Sequence, residues 1–201
     1  IAPAPSAVLA YHYPDISNLG NMDKIENLLL SRQIESPDFL CAGTPCQAFS
    51  LAGLKRGLKD RRANLTLKLI DIVNANDLVR KKEGKDSTVL FWENVEGVLR
   101  DKTNAFGCFV SSLTGISNTL NITRWPPAGV IYGPNRNLAW RVLDAKYFGI
   151  PQQRRRLYVL VGGKNFYPEN VLFELQTQPL QPIKSNTPLS FDVGEDRFEL
   201  F

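Results

Sequence analysis

A strand–helix–strand run in the first half of the chain constrains the fold more than any other feature. The segment "DFLCAG" (38–43) reads as a short buried strand stopped by Gly43 and Pro45. In "NLTLKLIDIVNANDLV" (64–79), Leu65, Leu69, Ile72, Val73 and Val79 fall along one side of a helix. The segment "STVLFWENV" (87–95) is a second strand that runs into a loop. This order predicts an α/β fold, a mostly parallel sheet with helices on both faces. Ligands in such sheets gather at the carboxyl ends of the strands. Both "TPCQ" (44–47) and "ENV" (93–95) lie just past a predicted strand end, so they are expected to share a site.

Further elements follow from pattern. "APSAVLAYHY" (4–13) predicts a short helix ending before Pro14, and "NMDKIENLLLSRQI" (21–34) spaces Ile25, Leu28, Leu29 and Ile34 at helical intervals. Residues 43–57 read as loop, and "NAFGCFVSSLTGI" (104–116) as a helix. Turn residues dominate 124–137, and two β-rich runs follow, "LAWRVLDA" and "RRLYVLVGG", separated by "KYFGIPQQ". Beyond Gly163 the pattern decays into polar, proline-punctuated sequence.

At 201 residues, with 43% hydrophobic and 22% charged residues, the chain can bury a core without disulfide staples. Three cysteines at spacings that match no zinc module predict neither a disulfide framework nor a structural metal, and favour a reducing, intracellular setting. His12 is the only histidine, which argues against a histidine triad or a multi-histidine metal site. The only methionine is Met22, so a fragment is expected. The net charge is only +4, but basic residues crowd into 54–62, 80–85 and 152–157, which makes a polyanionic partner plausible.

Three groups carry candidate chemistry. Cys46 sits among Gly43, Pro45 and Gln47, a tight turn that presents a side chain, whereas Cys41 and Cys108 read as buried thiols. Glu93 is a strand-end carboxyl; most such residues are caps or solvated, but packing by Phe91 and Trp92 would raise its pKa and let it donate a proton near neutrality. In "QQRRRL", strand alternation puts Gln152, Arg154 and Arg156 on one face and Arg155 on the other. The first three would suit phosphate oxygens or a base carbonyl.

Taken in order, "AGTPCQAFSLAGLKRGLKDRRANL", "ENVEGV" and "LDAKYFGIPQQRRRLYVLVG" resemble the DNA cytosine-5 methyltransferase family, in the style of its bacterial and phage members. The resemblance implies a Rossmann-like S-adenosylmethionine-dependent methyltransferase fold over about residues 1–164, a catalytic domain lacking its first strand and its C-terminal elements, with 165–201 as the start of a target-recognition region or a linker. It implies that Cys46 attacks C6 of an extruded cytosine, that Glu93 contacts N3 and the exocyclic amine, and that Arg156 holds the base carbonyl. Arg154 and Gln152 would order the loop and nearby phosphates. Gln47, Ser50, Lys55, Arg56 and Arg62 would contact DNA, and Asn21, Met22, Pro45 and Leu65 would surround S-adenosylmethionine.

The Gly-rich strand–turn that usually binds this cofactor is absent, and Gly20-Asn21-Met22 stands where the family shows Gly-Asp followed by an apolar residue. The expected partner is double-stranded DNA, bound by a monomer in the bacterial cytoplasm with no metal and no membrane. Two alternatives stay open: a homologue that binds DNA without catalysis, and a cytosine-5 methyltransferase acting on RNA.

Overall fold

The computed structural model describes residues 3–44, 61–149, 151–173, 190–193 and 196–200. Helix α1 (Pro3–His12) and a 3-10 turn (Met22–Lys24) precede α2 (Ile25–Leu30), β1 (Phe39–Ala42) and the long α3 (Arg61–Lys82). Next come β2 (Val89–Val95), a 3-10 turn (Glu96–Arg100), α4 (Ala105–Thr114), β3 (Ala128–Tyr132) and β4 (Arg136–Asp144). A 3-10 turn (Ala145–Phe148), β5 (Arg155–Gly163), α5 (Glu169–Leu172), β6 (Ser190–Val193) and β7 (Asp196–Leu200) complete the described elements. None of the described helices is long and apolar enough to cross a membrane.

The strands form one sheet in the order β1-β2-β5-β4-β3-β7-β6. The α/β class expected from the sequence holds, but the strand directions need correction. Only β1 and β2 pair in parallel; β2–β5, β5–β4, β4–β3, β3–β7 and β7–β6 are antiparallel. The cause is connection length. The α3 crossover between β1 and β2 leaves room for a parallel pair, whereas the short links β3–β4 and β4–β5 can only turn the chain back. The turn-rich stretch 124–137 conceals β3, and the polar tail beyond Gly163 contributes β6 and β7.

Helices α3 and α4 cover one face of the sheet. Alternate residues of β2 (Leu90, Trp92, Asn94) are buried, and Trp92 lies 4.3 Å from Phe109 of α4, ring centre to ring centre. Trp140 of β4 meets Phe106 edge-on at 5.6 Å and Trp125 at 5.5 Å. Helix α4 is apolar almost all round and buried almost all round. Gly107 faces the Leu120 carbonyl and the Asn104 side chain so closely that a β-carbon would collide with both.

At the end of the sheet away from the β1 and β2 carboxyl termini, a polar network ties α3 to the strands. Arg136, 5% exposed, donates from Nε to Asp77 Oδ2 (2.9 Å), from Nη2 to Asn74 Oδ1 (2.9 Å) and from Nη1 to the Leu113 carbonyl (2.9 Å). Asp77 also accepts from the Thr88 backbone N–H at 2.7 Å. Arg80, equally buried, holds the Ser36 and Asp86 carbonyls and pairs with Asp38 at 2.6 Å.

Cys108 is buried as expected, but Cys41 is exposed. The "DFLCAG" strand is bonded to β2 on one side only and is an edge of the described sheet, so alternate side chains, Phe39 and Cys41, face outward.

Candidate active site at the strand ends

Four segments converge at one edge of the sheet. β1 and β2 run parallel and finish there with Ala42 opposite Trp92. β5 runs the other way and starts there, with Arg156 opposite Val95; β4 finishes there, with Asp144 opposite Arg155. The Glu-Asn-Val element, the arginine run and the segment leading to Cys46 therefore meet because of strand direction.

The approach to Cys46 is pinned at Thr44. Its hydroxyl accepts the indole N–H of Trp92 at 3.0 Å and lies 3.1 Å from the Thr66 hydroxyl of α3. Its carbonyl accepts the Asn94 amide at 2.7 Å. Each of these partners is buried. Thr44→Val keeps the volume but leaves the Trp92 N–H unpaired in the core, so stability should fall by about 1–3 kcal/mol. Denaturant unfolding of the variant beside the parent protein measures the loss.

Glu93 projects from the face opposite Trp92. Its Oε1 pairs with Arg156 Nε at 3.0 Å, and a β-carbon on Gly43 would stand 3.7 Å from its Oε2. The expected packing by Phe91 and Trp92 is not found. Trp92 points into the helix-covered side, and Phe91 stacks on Tyr158 at 5.5 Å. The carboxylate is 38% exposed and balanced by a guanidinium, a charged setting in place of an apolar one.

The alternation of the arginine run holds. Gln152, Arg154 and Arg156 line one cavity of about 500 Å³ with Tyr158 and Phe148. Arg155 turns to the other face and makes a two-point ion pair with Glu96, at 2.6 and 3.0 Å. Asp144, buried where β4 ends, fixes this corner: its Oδ1 accepts the backbone N–H of Arg154 at 3.0 Å and of Lys146 at 3.3 Å. Tyr158 was legible from the same two-residue period that grouped the arginines. Asp144 and Thr44 were not singled out from the sequence: Asp144 acts on the backbone N–H groups of Lys146 and Arg154, and Thr44 on the side chains of Trp92, Thr66 and Asn94 that the fold brings from other elements.

The turn at Met22–Lys24 and α2 pack on α3. Asn21 caps that turn: its Oδ1 accepts the Asp23 N–H at 3.2 Å, and its amide donates to Asp23 Oδ2 at 3.0 Å. Met22 packs against the core, and Leu65 is half-buried on the first turns of α3. Lys68, one turn after Leu65, bonds Glu26 of α2 at 2.8 Å, and that hydrogen bond first of all raises its pKa above the ordinary lysine value. A raised ammonium pKa contributes its stability below the unfolded value and loses it only as pH climbs through the folded one, so this tether stays intact across neutral pH.

Pro45, Cys46, Gln47, Ser50, Lys55 and Arg56 lie outside the described residues, and Arg62 belongs to α3 by its backbone.

The family described as C-5 cytosine-specific DNA methylase matches residues 6–193. A DNA N-6-adenine-methyltransferase of Escherichia phage P1 is 45% identical over 200 residues, covering 88% of this chain and 26% of that protein. Type II methyltransferase M.NgoBV of Neisseria gonorrhoeae is 34% identical over 189 residues, covering 92% of this chain and 37% of that protein. Among solved structures, the Dnmt2 methyltransferase of S. pombe superposes with a TM-score of 0.55 at 15% identity, over 89% of this chain and 47% of that one. The chain thus spans about a quarter to two-fifths of the curated relatives' length.

Proposed function

We propose, since this chain belongs to the C-5 cytosine-specific DNA methylase family, that the full-length protein transfers a methyl group from S-adenosylmethionine to C5 of cytosine in double-stranded DNA. The observation that carries the reading is the pairing of Glu93 with Arg156, 3.0 Å apart beside the end of β1. A cytosine edge offers a carbonyl, a ring nitrogen and an amine in a row. A guanidinium beside a carboxyl group matches that row: Arg156 donates to the carbonyl, and Glu93 accepts from the amine and, in its protonated form, donates to N3.

Cys46 is the nucleophile in this reading. C5 of cytosine is a weak nucleophile; addition of the Cys46 thiolate at C6, with a proton from Glu93 to N3, makes C5 enamine-like. Once C5 carries the methyl group its proton leaves, the C6–S bond breaks to return the thiolate, and N3 gives its proton back. Chain reach supports the assignment. Thr44 is fixed beside Asn94, and two further residues extend about 7 Å at most. The base must leave the stack to enter the cavity, at a cost of a few kcal/mol that phosphate contacts from Gln47, Ser50, Lys55, Arg56 and Arg62 help offset. Gln152 and Arg154 hold the mouth of the cavity.

S-adenosylmethionine, when bound, supplies an electrophilic methyl group. The described residues assigned to it suit an adenine: Met22 and Leu65 are partly exposed apolar side chains, and Asn21 with Asp23 offers oxygens to an amine. Recognition of flanking sequence falls to residues after 164, whose strands β6 and β7 extend the sheet from β3.

The name of the phage P1 relative concerns an adenine amine. An amine needs no covalent addition to the ring, whereas the present set of thiol, carboxylate and arginine serves carbon methylation. Duplex carrying 5-fluorocytosine tests the distinction, because the fluorine blocks the final elimination. With cofactor present, the full-length protein should remain covalently attached through Cys46, seen as a denaturation-resistant band. A DNA-binding homologue without catalysis, or an amine methyltransferase, leaves none. Transfer RNA carrying the same base serves as the competing substrate.

A further inference from the structure

We propose that a groove on the opposite face of the same strand ends binds the phosphodiester backbone of the duplex, with Arg124 as its principal anchor. This inference rests on the reading of duplex DNA as substrate and adds a contact surface outside the base cavity. The groove has a volume of about 430 Å³ and is lined by Glu96, Arg100, Arg124, Trp125, Pro126 and Arg155, among others. Three guanidiniums face one carboxylate there. Glu96 clamps Arg155 through two oxygens and reaches Arg100 at 3.4 Å, so it spaces these two arginines without neutralising both. Arg124 is exposed and makes no ion pair among the described residues.

The floor under these cations is rigid. Trp125 is 5% exposed, set edge-on to Phe106 at 4.9 Å and to Trp140 at 5.5 Å, and its indole N–H donates to Asn104 Oδ1 at 3.3 Å. The Trp140 indole N–H holds the Pro126 carbonyl at 3.0 Å, and the Val142 N–H holds that of Pro127 at 2.7 Å. Surface arginines lose much of any ion-pair gain to side-chain entropy; a fixed floor reduces that loss and favours a bidentate anion such as a phosphate.

Placement decides the partner. Arg155 and Arg156 are consecutive, so the groove and the base cavity share one strand end and lie on its two faces. A duplex presenting a nucleotide to the cavity runs its backbone past both faces, and the groove meets phosphates displaced along it. Such contacts position the protein and carry no sequence information.

The test is duplex affinity of the full-length protein, by fluorescence anisotropy, as a function of salt. Arg124→Ala should weaken binding to cognate and unrelated duplexes by the same factor and flatten the plot of log affinity against log salt by about one unit. Arg124→Glu should weaken it further, Arg124→Lys should restore most of it, and the single-turnover rate at saturating duplex should not change. An unchanged affinity and salt slope in Arg124→Glu would overturn the groove as a DNA contact. So would a fall in melting temperature with no change in binding, which would mark the groove as a docking site for another part of the protein. Failure of the parent protein to bind any duplex would instead remove the substrate reading on which this inference stands.

Discussion

Cys46→Ser should reduce methyl transfer to a cytosine-containing duplex by roughly 10⁴-fold or more while duplex affinity changes little. A thiol with a pKa near ~8.5 is a few per cent ionised at neutral pH and is intrinsically nucleophilic. A serine hydroxyl needs a general base, and the single histidine of this chain, His12, is exposed on α1. The hydroxyl would also arrive at the same place, because the segment leading to it is pinned by Trp92, Asn94 and Thr66. Loss of turnover with intact binding therefore isolates the sulfur. Pre-steady-state methyl transfer beside a binding isotherm measures both, and wild-type turnover in this variant would remove Cys46 from the chemistry.

The largest effect on stability should come from the polar network far from that chemistry. Arg136→Met removes the cation that faces Asp77, Asn74 and the Leu113 carbonyl, with Arg136 and Asp77 side chains only 6% and 16% exposed. Removing one partner of a buried pair leaves the other charge uncompensated, and the expected loss is about 3–5 kcal/mol. For a domain of this size that lowers the melting temperature by roughly 6–20 °C. Adding Asp77→Leu to Arg136→Met should recover part of the loss, since the stranded carboxylate is then gone. A melting temperature within a degree of the parent would mean that the network does not hold α3 on the sheet. Scanning calorimetry of both variants decides it.

How much of this was written in the sequence differs by element. The helix carrying Leu69, Ile72, Val73 and Val79 was legible because its apolar residues repeat at helical spacing and are buried at those positions. The split between Arg156 and Arg155 was legible because strand side chains alternate. The antiparallel body of the sheet was misread because the first crossover was extended to the rest of the chain. Yet the ten residues between Asp144 and Arg155 would have argued against another crossover. Cys41 was misread because a short apolar run does not say whether a strand sits inside a sheet or at its border. The surroundings of Glu93 were misread because sequence neighbours in a strand point apart: Trp92 cannot pack against it, and Arg156, 63 positions away, does. Asp144 was invisible because it acts on the backbone of Lys146 and Arg154, and Thr44 because its partners Trp92, Thr66 and Asn94 are distant in sequence.

The corner after β4 tolerates a change of residue better than a change of length. Consecutive arginines serve two faces only because the strand alternates, and Asp144 sets the phase by holding the Arg154 backbone. One residue inserted between Arg154 and Arg155 would carry Arg155 to the face of Glu93 and Arg156 to the face of Glu96. Strand phase, in this corner, depends on residue count after the Asp144 anchor.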